Sequence, residues 1–194
     1  MKFYFHNSKV QVTKYSYAYV YEYKRQLMSN LAKFLSDLKV NYVISHGNLI
    51  EYERGRLIYH DDDIDIRIDR NDIPNVNFSL LSKYNLKLVE SDYINHVRRM
   101  GFIQKKICYW HHINLVEFKS RISLPNMTIF ADLVCNRTNT IPWNEYDINY
   151  RNIREIVYME TKTFAPSKED TLRLLEKEYG ENWITPNYEE YELV

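Results

Sequence analysis

The spacing of hydrophobic positions changes several times along the chain, and each change marks an element. From about Ala18 to Leu38 the apolar residues Leu27, Leu31, Phe34, Leu35 and Leu38 recur at helical intervals, with Lys24, Arg25, Ser29 and Asp37 elsewhere on the wheel. This predicts an amphipathic helix lying on a flat neighbour. Tyr42-Val43-Ile44 is a short β-prone run, and Ser45-His46-Gly47-Asn48 after it has the chemistry of a tight turn, with Gly47 expected to supply a left-handed backbone. Between Leu49 and His60, Arg54-Gly55-Arg56 predicts a loop. In the next segment Ile64, Ile66 and Ile68 alternate with Asp63, Asp65, Arg67 and Asp69, the period of a strand with one buried face.

Leu86-Lys87-Leu88-Val89 and Gly101-Phe102-Ile103-Gln104 are expected to be strands, as is Thr128 to Cys135, an apolar run holding the single acidic residue Asp132. A lone carboxylate in such a run needs a partner. Ser167 with Asp170 three residues later predicts a capped helix start, and Leu172, Leu175 and Tyr179 trace a helical stripe that stops at Gly180. No repeat or Pro/Gly-rich linker divides the pattern. The expectation is one α/β (α+β) domain over 1–194.

Composition narrows the function classes. Lys plus Arg and Asp plus Glu both total 26 in 194 residues, so no global basic field exists to hold a long polyanion, and a sequence-independent nucleic-acid binder is not expected. Cys108 and Cys135 are too few for a disulfide framework and lack metal-ligand spacing. No apolar run approaches the length of a membrane span, and the first residues lack a basic segment followed by an apolar one. A soluble, cytoplasmic protein without an integral membrane segment is expected.

The acidic run Asp61-Asp62-Asp63-Ile64-Asp65 carries the candidate chemistry. Residues two apart on a strand face the same way, so Asp63, Asp65 and the supporting Asp61 line up while Asp62 points elsewhere. At about 4 Å and an effective dielectric near 20, two such charges repel by roughly 4 kcal/mol, and a divalent cation is the simplest compensation. Hard carboxylate oxygens suit Mg²⁺ or Mn²⁺ in phosphate chemistry. If the strand of Asp132 lies beside the acidic strand, three carboxylates converge. For Asp61 and Asp62 a solvated surface is an equal alternative.

Taken together, Ser45-His46-Gly47-Asn48-Leu49-Ile50, Arg54-Gly55-Arg56-Leu57-Ile58-Tyr59-His60 and Asp61-Asp62-Asp63-Ile64-Asp65-Ile66 resemble the LicD/fukutin family. Phe164-Ala165-Pro166, the capped helix and Tyr179-Gly180-Glu181-Asn182-Trp183-Ile184-Thr185-Pro186 are similar to that family's closing pattern. The resemblance implies a nucleotidyltransferase-like fold of the polymerase-beta type, a mixed β-sheet flanked by helices. It also implies transfer of phosphocholine, ribitol phosphate or glycerol phosphate from a CDP-linked donor to a glycan acceptor. By this resemblance Asp63, Asp65 and Asp132 are the catalytic metal ligands, and Gly47 and Asn48 form the turn that approaches donor phosphate. Asn48 departs from the usual Thr or Ser, and Glu51 from a frequent Gly, so a different donor loop follows. On this reading an acceptor hydroxyl attacks the β-phosphate, CMP leaves, and Asp132 is available to relay the proton. Nucleotidyl transfer from an NTP with pyrophosphate release, and a catalytically silent binding module, stand as alternatives.

Other residues carry two readings each. Arg54 and Arg56 suit either a grip on a diphosphate or a solvated turn. His60 suits either support of the acidic strand or a loop. His111 and His112 are adjacent on a strand and face opposite ways, which favours a structural role. Trp143 and Trp183 are expected in the core rather than stacked on a base or sugar. The cysteines have no visible activating partner.

Overall fold

The computed structural model describes residues 3–5, 8–10, 14–58, 61, 63–69, 71–95, 107–116, 130–136 and 148–185. After a short hairpin of β1 (Phe3–Phe5) and β2 (Ser8–Val10), the long helix α1 runs over Lys14–Asp37, starting earlier than its apolar pattern predicts. Leu27, Met28, Leu31, Phe34 and Leu35 are fully buried on one of its faces. Lys24 precedes Leu27, Met28 and Leu31 by helical intervals and is buried with them, contrary to the expectation that it lies on the polar side.

Strand β3 (Tyr42–Ile44) leads directly into helix α2 (His46–Arg54), and strand β4 covers Asp63–Ile68. The helix begins inside the expected turn and ends at the expected loop. Its first residue, His46, takes the left-handed backbone (φ 46°) that was expected of Gly47. Most of the stretch before Arg54-Gly55-Arg56 is helical, and Gly55 closes the helix in the αL conformation (φ 67°), its N–H bonded to the carbonyls of Glu51 and Tyr52.

The central sheet has the order β3-β4-β7-β6-β5, completed by β5 (Leu86–Asn95), β6 (Ile107–Leu115) and β7 (Phe130–Asn136). It is mixed: β4 and β7 run parallel, and the other neighbours are antiparallel. The chain is therefore a mixed α/β structure. Gly101–Gln104, Thr128 and Ile129 lie outside the described residues.

Ile64, Ile66 and Ile68 join the core that α1 covers, together with Ile113, Leu115, Leu86 and Ala131. On the opposite face of β4, Asp65 and Arg67 are also buried, so this strand is covered on both sides rather than the one its alternation predicts. A second hairpin, β8 (Arg154–Tyr158) and β9 (Thr161–Ala165), packs against α1 and β3, with Phe164 edge-on to Tyr42 at 5.6 Å between ring centres. Helix α3 (Lys168–Tyr179) begins as predicted, the Ser167 side chain accepting from the Asp170 N–H at 3.1 Å. Its buried face is Thr171, Leu174 and Leu175; Leu172 and Tyr179 are half exposed, which corrects the expected stripe.

Candidate functional site

Parallel pairing of β4 with β7 sets Asp65 directly opposite Asp132, and Asp63 opposite Phe130. Register partners on neighbouring strands occupy the same face of a sheet, so Asp132, distant in sequence, joins Asp65 at one level of the fold. The strand adjacency on which a three-carboxylate site depends is present.

Asp61, Asp63 and Asp65 line one cleft of about 370 Å³, together with His46, Gly47, Ile50, Arg54 and Ile58 from α2 and the segment after it, and Tyr179, Asn182, Trp183 and Thr185 from the end of α3 and the turn beyond. Asp61 is already matched with a cation. Lys24 Nζ lies 2.7 Å from its carboxylate and 3.1 Å from its backbone carbonyl, and 3.5 Å from Glu51 Oε1. Burial alone would lower the pKa of Lys24, but Asp61 and Glu51 outweigh it and hold the ammonium well above its ordinary value. Gly47 is small because Asp61 needs the space: a Cβ there would sit 3.0 Å from Asp61 Oδ1 and 3.2 Å from its Cγ.

Among the described residues Asp63 forms no ion pair, and the charge of Lys24 relieves it only in part. Burial, then the charges of Asp65 and Asp61, push its carboxyl up to about 9. The carboxylates crowded on the floor of the cleft thus oppose one another's charge. Among the described residues no three His, Cys, Asp or Glu side chains form a group that could hold a metal ion. Asp63 and Asp65 share the cleft floor with the Lys24-paired Asp61, and Asp132 stands opposite Asp65 by backbone register.

Asn48 is fully buried and does not line the cleft, so its amide has a different task from the expected approach to donor phosphate. Its Oδ1 accepts the N–H of Asp65, and its Nδ2 donates to the Asp63 carbonyl at 3.3 Å and to the Tyr158 hydroxyl at 3.0 Å. Where β3 turns away into α2, the Ser45 N–H still reaches the Asp65 carbonyl at 3.0 Å, and the Asn48 side chain then continues the pairing in place of a strand. The Tyr158 hydroxyl donates to Glu51, which also accepts the Ile58 N–H at 2.9 Å. Burial and the Glu51 charge hold that phenol far above its usual pKa.

The other predicted contacts divide. Arg54 lines the cleft, but its guanidinium donates to the Trp183 carbonyl, from Nε at 2.9 Å and also from a terminal nitrogen, tying α2 to the C-terminal turn. Arg56 is exposed and does not line the cleft. Trp183 is buried, in keeping with the core role expected of it. Asp62, His60 and Trp143 lie outside the described residues, and His111 and His112 stand opposite Ser91 and Glu90 in the β5–β6 register.

Next to the cleft-lining Tyr179, Glu178 gathers Arg67 at 3.1 Å and His46 Nδ1 at 3.2 Å, joining α3 to β4 and α2. Burial opposes this charge, but His46 and Arg67 hold the Glu178 carboxyl below its usual range. Sequence reasoning missed Lys24, Glu51, Tyr158, Glu178 and the cleft position of Tyr179. Only Lys24 had a local signal, its helical spacing with Leu27, Met28 and Leu31. No family model matches this chain, and comparison with curated proteins returns no match.

Proposed function

We propose that the chain is a divalent-metal-dependent transferase of the nucleotidyltransferase-like fold. It moves a phospho-alcohol group from a CDP-linked donor to a glycan hydroxyl. The observation that carries this reading is the backbone pairing of Asp65 with Asp132 across parallel strands, with Asp63 and Asp65 lining a cleft. The resemblance of the Gly47 turn and the Asp61 to Asp65 run to the LicD/fukutin pattern supplies the substrate class.

Asp63 and Asp65 offer the kind of oxygen donor that a hard divalent cation takes. Oxygen ligands are what Mg²⁺ and Mn²⁺ prefer, one or two carboxylates with water suffice for Mg²⁺, and the raised pKa of Asp63 marks charge that a cation would relieve. Asp63 and Asp65 would hold the ion, with Asp132 alongside. When bound, it supplies neutralisation of the diphosphate charge.

The chain's own residues do the rest. Lys24 keeps Asp61 in place, Asn48 fixes the backbone of Asp63 and Asp65, and the Arg54 link to Trp183 sets the cleft width. In the transfer a new P–O bond forms from the acceptor oxygen to the β-phosphorus, the bond to the CMP oxygen breaks, and the hydroxyl proton passes to a carboxylate.

Incubation with Mn²⁺ and CDP-ribitol, CDP-glycerol, CDP-choline or each NTP tests the reading. CMP release from one CDP-alcohol, lost in Asp63→Asn and Asp65→Asn proteins that still melt cooperatively, is the expected result. Pyrophosphate release from an NTP would replace it with nucleotidyl transfer. Turnover unchanged by either substitution would remove the site assignment.

A further inference from the structure

The cleft has an acidic floor and a chemically different wall. Tyr179, at the last position of α3, and Asn182 and Thr185, in the turn that follows, all line it. Among the described residues, no hydrogen bond engages the Tyr179 hydroxyl, the Asn182 carboxamide or the Thr185 hydroxyl. The frame around them is nonetheless fixed. Glu178 is bonded to Arg67 and His46, the buried Trp183 accepts from Arg54, and the Thr185 N–H donates to the Asn182 carbonyl at 2.9 Å.

Each of the three side chains can both donate and accept, as an alcohol can. Burial and the charges of Glu178, Asp65, Asp61 and Asp63 hold the Tyr179 phenol well above its usual pKa, so it remains a donor. The acidic floor of Asp61 and Asp65 disfavours an anion placed against this wall more than a neutral molecule. Ile50, Ile58 and Trp183 add apolar flanks suited to the C–H faces of a sugar, and a cleft of about 370 Å³ has room for a small ligand.

We propose that Tyr179, Asn182 and Thr185 form a subsite for the hydroxyls of a neutral polyol or sugar, placing the reacting hydroxyl over Asp63 and Asp65. The assignment of that ligand as the acceptor rests on the transferase reading above. The subsite itself is testable without turnover.

Saturation-transfer NMR on the full metal-free chain, with ribitol and methyl glucoside as neutral probes and ribitol 5-phosphate and gluconate as charged ones, reads the wall directly. Tyr179, Asn182 and Thr185 are half or fully exposed, so Tyr179→Phe and Asn182→Ala keep the fold, which a thermal melt checks. Neutral probes should bind, and each substitution should weaken binding roughly five- to tenfold, the loss of about one hydrogen bond. Charged probes should bind more weakly than the neutral ones. No transfer to either neutral probe, wild-type binding in both variants, or tighter binding of the charged probes would overturn the subsite. Absence of donor turnover alongside intact polyol binding would overturn only the transferase reading.

Discussion

Lys24 and Asp63 stand a few ångströms from the same carboxylate and have opposite fates. The lysine is buried among oxygens that favour its charge; the aspartate is buried among charges that oppose its own. An acid whose folded pKa lies above its unfolded one keeps its proton longer in the fold. The stability this contributes is full below the ordinary value of 3.8 and is lost as pH rises toward about 9. In EDTA the melting temperature should therefore fall between pH 5 and pH 8 in a buffer of constant ionic strength. Asp63→Asn should flatten that slope, since the amide neither titrates nor repels. A slope that survives the substitution would mean that the strain lies elsewhere.

Between elements, the decisive junction is the one where β3 ends and α2 begins. Because Asn48 stands in for a strand residue, Asn48→Ala leaves the Asp65 N–H and the Asp63 carbonyl without their partner in a buried place. Two such groups at about 1–3 kcal/mol each predict a loss of roughly 2–5 kcal/mol in urea denaturation. A loss below about 1 kcal/mol would show that water takes over the pairing. This junction was only partly legible beforehand. The isoleucine alternation marks β4 and the apolar run around Asp132 marks β7, because each pattern is local. Their parallel pairing, with Asp65 beside Asp132, is a matter of register between segments far apart, which no local spacing encodes. Tyr158 reaches Glu51 across 107 residues and Arg67 reaches Glu178 across 111, so neither partner could be read from a window of sequence. A left-handed residue was foreseen in the turn, but placed on Gly47 by conformational preference. Gly47 is there for the space that Asp61 occupies, and His46 takes the unusual backbone.

Over the whole molecule, positive and negative side chains balance, yet the cleft concentrates three aspartates on its floor. A cation that binds only the folded chain raises its stability by roughly 2.7 kcal/mol at a hundred times its dissociation constant. Thermal melts with increasing Mn²⁺ should rise accordingly, and the rise should vanish when Asp63 and Asp65 are both changed to Asn. A rise that persists in the double variant would place the ion outside the cleft. The Asn48 bridge has one more consequence. With β7 on one side and Asn48 and Ser45 closing the other, the amide proton of Asp65 has no route to solvent short of cooperative unfolding, so its exchange should proceed at the rate of the slowest core amides. The floor of the cleft is then already rigid when a ligand arrives, and binding there involves no ordering of the backbone that carries the carboxylates.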